Sequence, residues 1–150
     1  MAQKHDLVRA LLRAGPDSVE VASFVRGDLV PAMAGAAELV ERLGTDEDVL
    51  RARRGGVHLA ALVPNLKGFE TLRAANERAK AVNGSVAPLD TVVVLVSCTD
   101  SHSKANVNRT MAQATEATLE VIRTAKTNGM RVRAYASLAF GCPFEGKVSE

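Results

Sequence analysis

Charged residues stand in two stretches of the sequence that are otherwise mostly apolar. Glu20 lies within residues 18–25, and Arg133 lies within residues 130–137. A charge in a covered strand is costly unless it is paired or hydrogen-bonded. The two residues therefore predict either a structural ion pair or an active-site cavity. In a cavity, Arg133 could donate parallel hydrogen bonds to a carboxylate or bind a thioester-linked substrate.

A period of two along each stretch predicts which side chains accompany these charges. Glu20 is predicted to share a face with Ala22, and Val19 to share the opposite face with Ser23. On the last stretch, Arg133 is predicted to share its face with three further side chains, Arg131, Tyr135 and Ser137.

Polar segments follow three of the apolar stretches, at residues 64–68, 100–106 and 141–147. Most of these residues have a plain structural interpretation: Asn65 caps a turn, Asn106 or Asn108 caps the start of a helix, and residues 141–146 form a tight loop. That interpretation does not explain why polar segments recur at the same end of each unit. Ligands of parallel α/β folds bind at the carboxyl ends of the strands, which favours a site there.

No catalytic or metal-binding group can be assembled from spacing. The three histidines are isolated, and neither His-x-His nor His-Glu-x-x-His occurs. Cys142 follows a glycine near a predicted strand end, but most cysteines are inert unless their pKa is lowered. Gly-x-Ser-x-Gly is also absent. We therefore assign no catalytic residue and no metal ligand.

The elements that position these residues are four predicted strands, 18–25, 57–63, 91–97 and 130–137. Helical periodicity predicts one helix before the first strand and three between the strands. The first has an apolar face that includes Leu7 and ends at Gly15; the others cover residues 31–43, residues 67–83, and Met111 to about Ala125. Residues 46–56, rich in arginine, are predicted to form a solvated connection. This alternation predicts an α/β fold with a parallel sheet.

Two architectures fit this alternation: an open doubly wound sheet, or part of a TIM (β/α)8 barrel. No glycine-rich nucleotide fingerprint occurs. A full barrel needs about 250 residues, so with 150 residues a barrel would be incomplete.

Composition and charge predict which classes of partner this chain does not bind and in which compartment it lies. The formal charge is +2 without a basic block, which predicts no nucleic-acid partner. The longest apolar run is far too short for a bilayer, and two distant cysteines without a secretory leader predict a reducing cytoplasm.

Four motifs together resemble the hydroxymethylglutaryl-CoA lyase family, with the four strands matching its second to fifth barrel strands. They are residues 19–25 with 30–33, residues 62–70, residues 101–108, and residues 133–137 with 141–148. The likeness runs in register from about Leu7 to Glu150 and is most specific in the last motif.

This resemblance implies a partial TIM barrel, one incomplete lyase domain over residues 1–150. It implies cleavage of 3-hydroxy-3-methylglutaryl-CoA to acetyl-CoA and acetoacetate, with Mg²⁺ or Mn²⁺ and an acyl-CoA substrate. Carried over by motif, five residues would bind substrate or line the pocket: Glu20, Asn65, Asn106, Arg133 and Ser137.

The resemblance also places several family motifs outside this chain: Arg-Asp-Gly of the first strand, the later paired histidines and the loop with the catalytic cysteine. Cys142 matches the loop after strand five instead. We therefore expect the metal ligands to be absent and the chain to be inactive alone, as a gene fragment, a mis-assigned reading frame or half of a split enzyme. A homo-oligomer or a complementing fragment is expected as its partner.

Two alternatives stay open. One is a sister acyl-CoA condensing enzyme or aldolase of the same superfamily. The other is a non-catalytic α/β binding module, which would fold alone as a monomer with an open sheet, whereas a barrel fragment should aggregate or dimerise.

Overall fold

Four parallel strands form the main sheet of the computed structural model, which describes residues 1–84 and 86–148. They are β1 (Ser18–Ser23), β2 (His58–Leu62), β3 (Thr91–Ser97) and β4 (Arg131–Ser137), and they lie side by side in sequence order. A doubly wound sheet reverses its direction of strand addition part-way. Strands added always on the same side are the order of a barrel. The predicted strands are confirmed, although β1 ends two residues early.

Within the described residues, six α-helices accompany the strands: α1 (Ala2–Arg13), α2 (Ala36–Leu43), α3 (Glu47–Arg54), α4 (Leu66–Asn83), α5 (Asp100–Val107) and α6 (Met111–Thr127). After β4, the two-residue strands β5 (Gly141–Cys142) and β6 (Gly146–Lys147) pair antiparallel as a hairpin. The predicted first, third and fourth helices are confirmed as α1, α4 and α6. A capping box, in which Thr110 and Gln113 bond each other's backbone, fixes the start of α6.

The single helix predicted for residues 31–43 is wrong. Pro31–Met33 form one 3-10 turn, and Gly35 then adopts a left-handed φ of 81° before α2 begins. Glycine tolerates this conformation because it has no Cβ, so the backbone can change direction there. The segment thus folds as a turn followed by a short helix.

The solvated connection predicted for residues 46–56 is also wrong, because most of it is α3. The Asp46 side chain accepts hydrogen bonds from the backbone N–H groups of Asp48 (2.9 Å) and Val49 (3.2 Å), which caps the helix. Val49 and Leu50 are buried in the core. Acidic residues in the first turn and arginines in the last suit the helix dipole.

The polar segment after β3 is a helix rather than a loop, and it changes the interpretation of both asparagines there. Asn106 lies in the last turn of α5, and Asn108, with φ of 53°, ends that helix. Neither is an N-cap, since Thr110 caps α6. Asn65 does cap, but a helix: its side chain accepts from Gly68 N at 2.9 Å and begins α4.

The helices cover one face of the sheet and form the core against it. From that face β2 contributes Leu59 and Ala61, and β3 contributes Val92 and Val94, all buried. The core side chains supplied by the helices include Val8, Leu39, Leu43, Phe69, Leu72 and Val121. Because the helices pack against only one face of the sheet, the side chains on the opposite face are not covered by helices.

We predict that Asp46→Ala destabilises the chain. The carboxylate caps α3 and also lies 3.0 Å from His5 Nε2 and 3.4 Å from Arg9 Nε of α1. Loss of an N-cap costs about 1 kcal/mol, so the free energy of unfolding measured in urea should fall by about 1–2 kcal/mol. The matched control is Glu47→Ala, one residue away in an exposed pair with Arg54; it should change the value by less than about 0.5 kcal/mol. Equal losses in the two variants would contradict this role.

Candidate functional site

Side chains of the first and last strands meet across the open face of the sheet. An Arg133 Nη2–H of β4 donates to Ser18 Oγ of β1 at 3.0 Å, and the Tyr135 hydroxyl lies 3.5 Å from Glu20 Oε2. Strands in a flat sheet are about 4.8 Å apart, which would separate β1 from β4 by about 14 Å with their side chains standing upright. These contacts therefore require a curved sheet whose open face is concave.

The register of the sheet identifies the other residues of this concave face. Val93 pairs with Arg133, Leu95 with Tyr135, and Ser97 with Ser137, so each pair projects to the same side. The predicted common face of Arg133, Tyr135 and Ser137 is thus confirmed.

Glu20 and Arg133 share the concave face, but they do not form the ion pair that the sequence suggested as one interpretation. Arg133 bonds Ser18, and the neighbour of Glu20 is Tyr135. Glu20 is exposed and Arg133 half-buried. The carboxylate therefore remains hydrated, which removes the desolvation cost that made pairing necessary.

A bulge in β1 corrects the predicted faces of that strand. Glu20 pairs with Ala60, but Ala22 pairs with Ala61, so one extra residue enters between them. After the bulge, Ala22 packs against the core, and Ser23 aligns with Leu62 on the side of Glu20. The prediction that Ala22 accompanies Glu20 was wrong because simple alternation does not include a bulge.

The carboxyl ends of β3 and β4 carry a second polar group. Ser97 Oγ and His102 Nδ1 share a hydrogen bond of 2.8 Å, and the His102 ring lies beside Phe144 of the hairpin. The Cys98 N–H donates to the Ser137 carbonyl at 2.9 Å, which holds the two strand ends together. The carboxyl ends of β3 and β4, with the segments that follow them, form the rim of the concave face. His102 is hydrogen-bonded at this rim, although no other histidine lies near it in the sequence.

The hairpin β5–β6 is fixed to the start of α5 by two contacts. The Thr99 hydroxyl donates to Cys142 Sγ at 3.1 Å, and Ser101 N–H donates to Glu145 Oε1 at 2.9 Å. The bonds from Ser101 lower the pKa of Glu145, so its carboxylate stays charged at the helix N-terminus.

The hydrogen bonds around Cys142 affect the protonation of its thiol. Burial raises the pKa of its thiol, but hydrogen bonds from Thr99 and from the Phe144 and Glu145 backbone outweigh it, and the pKa of Cys142 is lowered overall. The side chain is nevertheless buried, at 6% exposure. Its environment stabilises a thiolate but offers a substrate little access.

The five predicted site residues are partly brought together. Glu20 and Arg133 project from the middle of β1 and β4, and Ser137 ends β4 on the same face. Asn65 is exposed directly after β2, at the same end of the sheet, where its side-chain oxygen caps α4. Asn106 is exposed in the last turn of α5, and no contact within the described part of the chain joins it to the other four residues. The sequence did not predict Ser18 or His102 as site residues. Aligning the predicted strands by their starts would have placed Ser18 on the same face as Glu20.

Among the residues that the structure describes, no three or more His, Cys, Asp or Glu side chains are grouped so that they could hold a metal ion. None of the described helices is long and apolar enough to cross a membrane.

Known proteins resemble this chain over nearly its whole length. The 3-hydroxy-3-isohexenylglutaryl-CoA/hydroxy-methylglutaryl-CoA lyase of Pseudomonas aeruginosa is 36% identical over 99% of this chain and 43% of its own length. The solved HMG-CoA lyase of Brucella melitensis is 31% identical and superposes with a TM-score of 0.79 over 99% of this chain and 45% of that one. The chain is a partial homologue of hydroxymethylglutaryl-CoA lyases. It spans about two fifths of the length of these relatives and forms part of their TIM barrel.

A third family member adds a ligand. The HMG-CoA lyase structure from Acinetobacter baumannii, in complex with coenzyme A and 3-methylmalate, is 26% identical with a TM-score of 0.76 over 98% of this chain and 41% of that chain. No protein-family model matches the chain.

We predict that Thr99→Val raises the pKa of Cys142, because it removes the hydroxyl donor while keeping the side-chain volume. A pH titration of the ¹³Cβ chemical shift of Cys142 should place its midpoint below the ordinary cysteine value in the parent chain and higher in the variant. Thr99→Ser, which retains the donor, is the control and should titrate as the parent does. An unshifted midpoint in Thr99→Val would contradict a hydrogen-bonded thiolate.

Proposed function

We propose that the concave face of this chain is part of the substrate-binding wall of a hydroxymethylglutaryl-CoA lyase. The enzyme would cleave 3-hydroxy-3-methylglutaryl-CoA to acetyl-CoA and acetoacetate. The observation that carries this proposal is the Arg133–Ser18 hydrogen bond across the sheet, because it fixes a guanidinium over the concave face. The likeness to hydroxymethylglutaryl-CoA lyases supports this reaction class.

The chemistry of Arg133 suits this substrate, which carries a carboxylate at one end and a thioester at the other. Ser18 accepts one of the five N–H groups of the guanidinium. The planar fork can then bind a carboxylate through two parallel hydrogen bonds, which fixes both position and orientation. Half-burial strengthens such a contact by lowering the local dielectric. Arg133 would thus hold the substrate and not react with it.

The remaining predicted residues would line the same cavity. Glu20 and the Tyr135 hydroxyl form a polar pair that can accept and donate hydrogen bonds to a substrate hydroxyl. The negative charge of Glu20 would direct the substrate carboxylate toward Arg133 instead. Ser137, Asn65 and, more distantly, Asn106 would border the mouth at the carboxyl ends of the strands, where TIM barrels bind ligands.

The coenzyme A and 3-methylmalate bound by the Acinetobacter relative support an acyl-CoA substrate with a carboxylate and a hydroxyl group for this chain also. A divalent metal, Mg²⁺ or Mn²⁺, would polarise the substrate oxygens in the family reaction. The residues described here do not group to fit that ion, so we derive no step through it. We place the enzyme in the cytoplasm, with residues 1–150 forming one part of the barrel domain.

Binding without turnover is the expected behaviour of the chain. Titrating 3-hydroxy-3-methylglutaryl-CoA in the presence of Mg²⁺ should shift the amide NMR signals of β1 and β4. Acetoacetate in a coupled assay should stay at background, because a complete metal site is not among the described residues.

The test variant is Arg133→Met, which keeps the length of the aliphatic stem and removes the charge. It should weaken binding at least tenfold, since a charge-assisted bidentate contact is worth about 1.5–3 kcal/mol. Arg123→Met, on the exposed side of α6, is the matched control and should bind as the parent does. Undetectable binding by the parent chain, or equal binding by both variants, would refute the proposed substrate wall; acetoacetate above background would refute the absence of turnover.

A further inference from the structure

The same dipeptide, asparagine followed by glycine, lies at the ends of two helices. Asn83-Gly84 ends α4, and Asn128-Gly129 follows α6. Both glycines adopt a left-handed φ, 75° for Gly84 and 72° for Gly129, which glycine tolerates because it has no Cβ. For the same reason nothing on the glycine hinders its amide nitrogen from attacking the preceding side-chain amide. Because the reacting residues are identical, the fold decides which site reacts in the folded chain.

The backbone at the two sites does not distinguish them. Each glycine N–H donates to a carbonyl of the last helical turn: Gly84 to Lys80 O at 2.8 Å, and Gly129 to Lys126 O at 3.0 Å. Both glycines are exposed, and a Cβ added to either would meet no atom within 4 Å. The attacking nitrogen is therefore held similarly at both sites, and the difference lies in the asparagine side chains.

The side chain of Asn83 is half-buried and joins three segments of the chain. Its Nδ2 donates to the carbonyl oxygens of Gly44, at the end of α2, and of Val86, both at 3.0 Å, and its Oδ1 accepts from Val86 N at 3.0 Å. Gly44 is buried and packs directly on α4, where an added Cβ would lie 2.4 Å from that of Ala79. Rotating Asn83 away would break these bonds at a packed junction, and buried polar groups that lose their partners are costly.

The side chain of Asn128 is exposed and bonds within its own helix. Its Nδ2 donates to Thr124 O at 2.8 Å. That carbonyl also accepts the backbone N–H of Asn128 at 3.1 Å, so it keeps a partner when the side chain rotates away. Water replaces the lost bond at an exposed helix end at little cost. Asn128 can therefore adopt the conformation that the reaction needs.

We propose that Asn128-Gly129 is a site of spontaneous deamidation in the folded chain, and that the fold protects Asn83-Gly84. Hydroxide removes the N–H proton of Gly129, and its nitrogen then bonds to Cγ of Asn128. The side-chain nitrogen takes a proton from water and leaves as ammonia. Water hydrolyses the resulting cyclic imide at either carbonyl, which gives an aspartate or an isoaspartate. This modification is independent of the proposed lyase function.

The aspartate product would destabilise the end of α6, which packs against β3 and β4 and buries Val121 and Ala125. A carboxylate at position 128 cannot donate to Thr124 O. It also places a negative charge at the carboxyl end of a helix, where the helix dipole is itself negative. Asn128→Asp, a mimic of this product, should therefore raise the equilibrium constant for unfolding, measured in urea, about two- to fivefold.

Peptide mapping of the full 150-residue chain, incubated in mildly alkaline buffer, tests the proposal. Liquid chromatography with mass spectrometry resolves the asparagine, aspartate and isoaspartate forms of each site. In the folded chain Asn128 should convert about tenfold faster than Asn83 or more, because more hydrogen bonds must break at Asn83. In concentrated urea, where the fold protects neither site, the two rates should become similar.

Asn128→Gln is the matched control. Its side chain keeps the amide, but the additional methylene makes ring closure much slower. Conversion at position 128 should therefore fall to background, while conversion at Asn83 stays as in the parent chain. Equal rates at the two sites in the folded chain, faster conversion of Asn83, or an Asn128 that does not convert in the folded chain would each overturn the proposal.

Discussion

The curvature of one parallel sheet is the constraint on which the other features of this chain depend. Because β1 and β4 bend toward each other, the guanidinium of Arg133 meets the hydroxyl of Ser18 across two intervening strands. The helices lie on the convex side and bury the larger apolar residues. Polar side chains therefore collect on the concave side, which corresponds to the lumen of the barrel in the lyases that the chain resembles.

The carboxyl ends of the strands are held by contacts between distant segments. Thr99 and Ser101, which follow β3, bond Cys142 and Glu145 of the hairpin that follows β4. His102 is bonded to Ser97 beside them. Because of these contacts, the segments at the rim of the concave face are joined to one another and do not form separate loops. A rigid rim is what a substrate-binding edge requires, because misplaced contacts lose binding energy to reorganisation.

The sequence predicted the features that depend on local periodicity and missed those that depend on contacts between segments. Four runs of β-branched residues were enough to predict the strands, and the family motifs predicted the barrel. The bulge beside Glu20 exchanged the faces of Ala22 and Ser23 because it depends on pairing with β2. Helix α3 was missed because its charged sequence buries only two residues. The pKa of Cys142 depends on Thr99, far away along the chain, and no local pattern contains it.

The most direct test of the curved sheet is a proton NOE measurement between β4 and β1 in isotope-labelled chain. A hydrogen bond of 3.0 Å between Arg133 Nη2 and Ser18 Oγ predicts cross-peaks between the Arg133 side chain and the Ser18 β protons. NOEs are observed only over short distances. In a flat sheet the strands would be about 14 Å apart. Absence of these cross-peaks, with normal NOEs between β3 and β4, would contradict a concave substrate face.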